Sequence, residues 1–199
     1  MSSLFFRTES DGRIRILRLT SPDGTNRLTR ACVLALTAVF AEHKDEPEKR
    51  PRPLIIAGNR QFFSVGADLN EIATLTGPEA YEFSAMGQAL MNAIASYPAP
   101  VIAVIEGHCM GGGLDLALAC HRRIAASHAI FGHRGAALGL MTGWGGMQRL
   151  PRLVGKSRAL ELFIAAEKIS AARALEIGLV DAIADDPVAA ALSLVRTFY

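Results

Sequence analysis

A chain of 199 residues, 50% of them hydrophobic and 20% charged, has the length and composition of one globular domain. This composition excludes a disordered chain, a collagen-like fibre and a disulfide scaffold, and a net charge of +2 gives no reason to expect a nucleic-acid partner. We expect a cytoplasmic protein, because no apolar run reaches membrane-spanning length, the first residues lack the apolar core of a secretory signal, and the three cysteines form no C-x-x-C pair.

The first third of the chain predicts a strand, a helix and a second strand. Apolar residues interleave with arginines over residues 14–19, which indicates a half-exposed strand. A Pro-Asp-Gly turn follows, and Thr29 is suited to cap a helix that runs to about Glu42. The apolar run over residues 53–57 is typical of a strand buried on both faces of a parallel sheet.

The rest of the chain continues this alternation. We predict, in order, a helix over about 78–97, a strand over 101–105, a short helix over about 111–120, a strand over 124–126, helices over 157–165 and 170–176, a last strand over 180–183 and a final helix that starts at Pro187. Strands that alternate with helices at this spacing predict an α/β fold with mostly parallel strands flanked by helices. No repeat or linker divides the chain, so we expect residues 1–199 to form a single domain.

Two glycine-containing loops, residues 62–69 and 106–116, follow the two most apolar strands. Ligands of parallel sheets collect at the carboxyl ends of the strands, so both loops can face one crevice. Glycines let the backbone approach a ligand closely, and the start of a helix leaves amide N–H groups unpaired. Two such amides would bind a carbonyl oxygen that becomes negative during a reaction. The alternative is that these glycines serve only tight turns and close helix packing.

The same glycines do not match two other well-known motifs. Residues 107–113 do not fit the G-x-G-x-x-G pattern, and no acidic residue lies between Asp115 and Glu161 to bind a ribose hydroxyl. A nucleotide-binding dehydrogenase is therefore not expected. The G-x-S-x-G motif of an α/β-hydrolase nucleophile is also absent from the sequence.

Several segments, in order along the chain, are similar to those of one family. They are NRLT (26–29), FSVGADL (63–69), GHCMGGGLDLA (107–117), GLMTGWGGMQRL (139–150) and AARALEIGLVD (171–181). These segments resemble the enoyl-CoA hydratase/isomerase (crotonase) family, and the similarity extends from about Ile14 to Ile183. The resemblance implies a crotonase-like spiral of repeated β-β-α units that binds acyl-CoA. The coenzyme A thioester is the substrate, and neither a further cofactor nor a metal is expected.

The resemblance also implies which residues contact the substrate. The amides of the family's oxyanion hole fall on Ala67 and Gly112, where they would stabilise the enolate of the thioester. Ser64, Asp68 and Leu69 fall where the family's loop wraps around coenzyme A. We therefore expect a substrate-binding surface that includes all five of these residues.

The acid–base residues depart from the family pattern. Hydratases of the family use two glutamates; the first falls on Asp115, which has a shorter side chain, and the second falls on Gly135, which has none. Asp115 is the candidate catalytic carboxylate, although an acid in the first turn of a helix also stabilises the helix dipole. We expect isomerisation or other enolate chemistry to exceed two-glutamate hydration. The alternative is a non-catalytic acyl-CoA-binding or structural paralogue.

Three basic or ionisable residues near these motifs have two interpretations each. His108 either lines the pocket wall or takes part in catalysis. His133 and Arg134, beside Gly135, either bring a proton donor or cation to the site or point away from it. Cys109 is expected to be a small buried apolar residue, and Trp144 a wall of the acyl pocket.

Basic residues and assembly give two further expectations. Seven basic residues and no acidic one lie between Asp115 and Glu161, which indicates either a solvated face or attraction of the phosphates of coenzyme A. The resemblance implies a homotrimer or a hexamer, with no membrane partner. We also expect that the chain lacks the family's usual C-terminal helical segment and exposes apolar surface where that segment would pack.

Overall fold

Strands and helices alternate along the computed structural model, which describes residues 4–45 and 51–198. The strands are β1 (Phe6–Asp11), β2 (Ile14–Leu19), β3 (Arg27–Leu28), β4 (Leu54–Ala57), β5 (Phe62–Ser64), β6 (Gly66–Ala67), β7 (Val101–Ile105), β8 (His108–Met110), β9 (Arg122–Ala125), β10 (Ile130–Gly132), β11 (Lys168–Ser170) and β12 (Ala182–Ile183). The helices are α1 (Arg30–Asp45), α2 (Leu69–Ala73), α3 (Gly77–Ala95), α4 (Gly112–Ala119), α5 (Gly146–Val154), α6 (Lys156–Ala165), α7 (Ala171–Glu176) and α8 (Pro187–Phe198).

The larger sheet contains six strands in the order β1-β2-β4-β7-β9-β12. Only the β1–β2 pair is antiparallel, and each later pair is parallel. One face of this sheet packs against α8 through Ile55, Ile102, Val104 and their neighbours, while the opposite face joins the main core. Strands covered on both faces must be apolar throughout, which explains why β4 and β7 are continuous apolar runs. The predicted α/β fold with mostly parallel strands is confirmed.

A smaller sheet, in the order β11-β10-β8-β5, lies beside the larger one. Three times the chain passes from a strand of the larger sheet to a strand of the smaller one, from β4 to β5, from β7 to β8 and from β9 to β10. A helix follows before the next strand of the larger sheet, so that β7, β8 and α4 form one such unit. The short strands β5, β6, β8, β10 and β11 are not predicted from the sequence. Strands of two or three residues are too short to show a periodic pattern.

Helix boundaries follow local capping chemistry. The Thr29 hydroxyl accepts a hydrogen bond from the amide of Cys32 at 3.1 Å, and the Ser170 hydroxyl accepts one from the amide of Arg173 at 3.3 Å. Both caps are the ones that the sequence predicts. Helix α5 is not predicted, because Pro151 lies inside it and a proline normally argues against a helix interior.

Two of the seven basic residues that follow Asp115 form ion pairs with an acidic residue from outside that stretch. Arg122 and Arg123 both form ion pairs with Asp181, at 2.8 and 3.2 Å. Arg123 is buried and also donates to the carbonyls of Leu179 and Cys120, each at 2.8 Å. Burial lowers the pKa of the Arg123 guanidinium, and the Asp181 carboxylate partly offsets that effect.

None of the described helices combines the length and the apolar character needed to cross a bilayer.

Candidate active site

The two glycine-containing loops meet at one cavity of about 420 Å³, as the sequence predicts. Ala67 and Leu69 of the first loop and Gly112 of the second line it, together with Asp115 on α4. A third segment, residues 133–144, forms the opposite wall. The lining is mostly apolar with a few polar groups, which is typical of a small-molecule site.

Ala67 and Gly112 lie close together because the two loops pack backbone against backbone. Gly66 has φ +95°, and a Cβ added to it would lie 2.7 Å from the Met110 carbonyl oxygen and 2.8 Å from the Gly112 nitrogen. A Cβ added to Gly112 would lie 3.2 Å from the Ala67 nitrogen. Gly112 is the first residue of α4, where helix geometry leaves the amide without an intrahelical acceptor. This arrangement can present two N–H groups to one oxygen atom, and the oxyanion role of these residues stays a prediction.

Ser64 lies inside the first loop and away from the cavity lining. Its hydroxyl donates to the Asn26 carbonyl at 2.7 Å and accepts from the Gly66 amide at 3.0 Å. The Asn26 side chain in turn donates to the carbonyls of Phe62 and Phe63 at 2.9 and 3.1 Å. The Ser64 side chain therefore holds the loop in shape, and its predicted contact with coenzyme A remains untested. The hydrogen bonds of Asn26 also show that the early NRLT segment supports this loop.

Asp68 and Leu69 lie at the outer end of the same loop. The Asp68 carboxylate accepts a hydrogen bond from the Asn70 amide at 2.8 Å and caps α2. Leu69 is exposed and lines the cavity, whereas Asp68 is not part of the lining. A role of both residues in binding coenzyme A stays a prediction.

Asp115 lies at the buried end of the cavity with both carboxylate oxygens engaged. Its side chain is 2% exposed, and its Oδ1 lies 3.3 Å from His133 Nε2. Its Oδ2 accepts a hydrogen bond from the Thr142 hydroxyl. Gly146 faces the same carboxylate, and a Cβ at that position would collide with Oδ1. Three residues, His133, Thr142 and Gly146, therefore restrain this one side chain.

The partners of Asp115 were only partly anticipated from the sequence. For His133 the sequence leaves open whether the side chain reaches the site or points away; the structure places the residue in the cavity lining, with its Nε2 3.3 Å from Asp115 Oδ1. Thr142 was not singled out, and the sequence offers no signal for it beyond its position in a glycine-rich segment. Arg149 lies near enough to matter electrostatically: burial lowers the pKa of its guanidinium, and the Asp115 carboxylate counters part of that change.

Gly135 and Trp144 both line the cavity. Gly135 lines the cavity with ordinary right-handed dihedrals, φ −55° and ψ −47°. Trp144 is buried and packs against Phe83, with 5.3 Å between ring centroids, and its Nε1 donates to the Phe83 carbonyl at 3.3 Å. Trp144 therefore lines the pocket, as predicted. Arg134 also lines the cavity.

His108 and Cys109 lie outside the cavity lining. The His108 ring packs on Phe62 with 5.6 Å between centroids. Cys109 is completely buried, as predicted, and burial raises the pKa of its thiol well above the usual range, which disfavours the thiolate. Among the side chains that the structure describes, no group of three His, Cys, Asp or Glu residues is arranged to hold a metal ion.

Known proteins resemble the chain over much of its length. The family model for enoyl-CoA hydratase/isomerase matches residues 9–196. A probable enoyl-CoA hydratase from Bacillus subtilis (strain 168) is 48% identical over 142 residues, which cover 71% of this chain and 55% of that protein. A crotonyl-CoA hydratase from Syntrophomonas wolfei is 37% identical over 173 residues, which cover 87% of this chain and 66% of that protein. The chain thus spans less than two thirds of the length of these relatives.

Solved structures share the fold. The crystal structure of an enoyl-CoA hydratase from Bacillus anthracis superposes with a TM-score of 0.89 at 31% identity, over 97% of this chain and 76% of that chain. The crotonase-like spiral implied by the sequence resemblance is therefore confirmed. Because the family model matches nearly the whole chain, from residue 9 to residue 196, the chain belongs to the enoyl-CoA hydratase/isomerase family.

Proposed function

We propose that the protein acts on an acyl-CoA thioester through an enolate, and that it favours isomerisation of a double bond over hydration. The observation that carries this proposal is the meeting of the Ala67 and Gly112 backbones at one cavity that also holds the buried Asp115 carboxylate. Family membership supports an acyl-CoA substrate.

The chemistry requires a place for negative charge and a group for proton transfer. The reaction begins when the C–H bond on the carbon next to the thioester carbonyl breaks. The electron pair of this bond then moves toward the thioester oxygen, and a base takes up the proton. Two preorganised N–H groups at Ala67 and Gly112 would stabilise that oxygen by about 3–4 kcal/mol per donor. Asp115 is the carboxylate on which transfer of the proton from one carbon to another depends.

The acid–base groups favour isomerisation over water addition by a glutamate pair. Among the residues that line the cavity in the described structure, Asp115 is the single carboxylate. The family's second glutamate falls on Gly135, so a water molecule there has no second carboxylate to orient and activate it. One proton-transfer centre is sufficient to move a proton between two carbons of the same substrate.

A panel of short 2-enoyl- and 3-enoyl-CoA thioesters tests the proposal, with products followed by mass spectrometry and chromatography. We expect conversion of 3-enoyl-CoA to 2-enoyl-CoA to be faster than addition of water to crotonyl-CoA. Calorimetry with a saturated acyl-CoA measures binding separately. Binding without any turnover would instead support a non-catalytic acyl-CoA-binding protein, and vigorous hydration would contradict the preference for isomerisation.

Introducing a glutamate at position 135 is expected not to restore hydration. The backbone dihedrals of Gly135 suit any residue, but a Cβ there would lie 2.7 Å from the Leu140 carbonyl oxygen. The side chain would therefore displace the segment that contains Thr142. Gly135→Glu and its control Gly135→Ala should both lower the melting temperature, and neither should raise crotonyl-CoA hydration. A clear rise in hydration in Gly135→Glu alone would show that the segment yields and the glutamate functions.

A further inference from the structure

The Asp115 carboxylate is poorly placed to exchange protons with a substrate by itself. Its two oxygens are already held by His133 and Thr142, and only 2% of its side chain is exposed. Gly146 closes the space beside Oδ1. The contacts therefore restrain the carboxylate, and a neighbouring group with a free site is better able to meet the substrate.

His133 is such a group. Its ring lines the cavity and packs edge-on against Phe163, with 5.4 Å between ring centroids. An ionised carboxylate only accepts hydrogen bonds, so a neutral His133 that donates to Asp115 from Nε2 has a lone pair on Nδ1. Nδ1 makes no hydrogen bond within the described residues, and it is not a buried orphan, since Asn26 Oδ1 is the only buried side-chain atom there without a partner. Nδ1 is therefore not fully enclosed, and His133 is one of the residues that line the cavity.

We propose that His133 carries the proton in this site, and that Asp115 holds the ring and stabilises its charged form. This inference rests on the proposed function and names the group that performs its proton transfer. The substrate C–H bond breaks, its electron pair stays on the carbon skeleton as the enolate, and the proton goes to His133 Nδ1. The imidazolium then returns a proton from Nδ1 to another carbon, so the protein ends as it began. A buried carboxylate beside an imidazole supports this cycle in other enzyme sites.

Replacement of His133 by glutamine separates proton transfer from positioning. A glutamine amide can still donate to Asp115 from nearly the same place as Nε2, but it cannot take up a proton. The reaction to follow is exchange of the α-protons of butyryl-CoA in D₂O, measured by NMR, since this needs only binding and enolate formation. We expect His133→Gln to slow exchange by at least about 100-fold while butyryl-CoA affinity stays unchanged. The matched control is His128→Gln, because His128 is exposed, lies outside the cavity lining and makes its hydrogen bond to the Arg60 carbonyl, at 3.2 Å.

Exchange in His133→Gln within a few-fold of the unmodified protein would overturn the inference, because it would show that a hydrogen-bond donor is sufficient at this position. An unmodified protein that binds butyryl-CoA but exchanges no protons would overturn the proposed function and the inference together. Loss of exchange in His133→Gln alone, with proton exchange in the unmodified protein and in His128→Gln, supports both.

His133→Ala offers a second test that does not depend on how glutamine packs. The truncated side chain opens space beside the cavity for a small molecule from solution. Recovery of exchange with added imidazole, and not with pyrazole, which has the same size but is a much weaker base, supports proton transfer by the ring. Equal recovery with both compounds would show that His133 only fills space and would overturn the inference.

Discussion

Asp115→Asn is expected to lower turnover by about 10²–10⁴-fold while acyl-CoA affinity changes little. The asparagine has the same size and can keep one contact each with His133 and Thr142, but it has no negative charge to stabilise a protonated partner. Measurement of kcat on a 3-enoyl-CoA, together with calorimetry on a saturated acyl-CoA, separates chemistry from binding. Asp185→Asn is the matched control, because Asp185 is exposed and is not part of the cavity lining.

Full activity in Asp115→Asn would show that the reaction does not need the carboxylate. It would also contradict the proposed role of His133, which depends on that carboxylate. A parallel loss of affinity would point to displaced loops. Loss of turnover with intact binding is the result that both proposals require, and only the His133 variants then distinguish a lone carboxylate from a carboxylate–imidazole pair.

Gly66→Ala is expected to damage both stability and activity. The left-handed φ of +95° costs a non-glycine residue about 1–3 kcal/mol. The new methyl group would also overlap the Met110 carbonyl oxygen, 2.7 Å away, and the Gly112 nitrogen, 2.8 Å away, at a further cost of about 1–3 kcal/mol. The two loops must separate to admit it, so the amides of Ala67 and Gly112 would no longer face one point. We expect a lower melting temperature in calorimetry and loss of proton exchange.

Gly12→Ala separates backbone strain from loop separation. Gly12 also has a positive φ, +59°, but a Cβ there meets no atom within 4 Å. This variant should lose only stability, and its exchange rate should match that of the unmodified protein. Normal exchange in a folded Gly66→Ala protein would contradict the assignment of the oxyanion hole to these two loops.

Local patterns predicted the parts of the fold that local physics determines. Strands β4 and β7 can be identified from the sequence because burial on both faces demands unbroken apolar runs. Thr29 and Ser170 can be identified as helix caps because capping needs a hydroxyl at one position. The strands of the smaller sheet are held by pairing with distant segments, so no local pattern marks them. The sequence does not predict helix α5, because Pro151 and the preceding glycines suggest a loop. The helix forms because Leu150 and Val154 are buried and anchor it to the core.

The candidate site also has one part that the sequence predicts and another that depends on contacts between distant segments. Glycines mark the two loops in the sequence, and the resemblance to the family implies the positions of Ala67 and Gly112 within them. His133 and Thr142 reach Asp115 across 18 and 27 residues, and the Arg123–Asp181 pair spans 58. Contacts over such distances depend on how successive turns of the spiral stack, which no spacing rule in a single sequence describes.

The strand order of the two sheets has a consequence for biosynthesis. In both sheets the strands lie in the order in which they leave the ribosome, β1-β2-β4-β7-β9-β12 in one and β5-β8-β10-β11 in the other. A nascent strand can therefore dock on the edge left by its predecessor, and it offers a fresh edge to its successor. Ala67 and Gly112 belong to earlier turns than His133 and Thr142. We expect the growing chain to bring the loops of Ala67 and Gly112, together with Asp115 on α4, into place before His133 and Thr142 can reach the carboxylate.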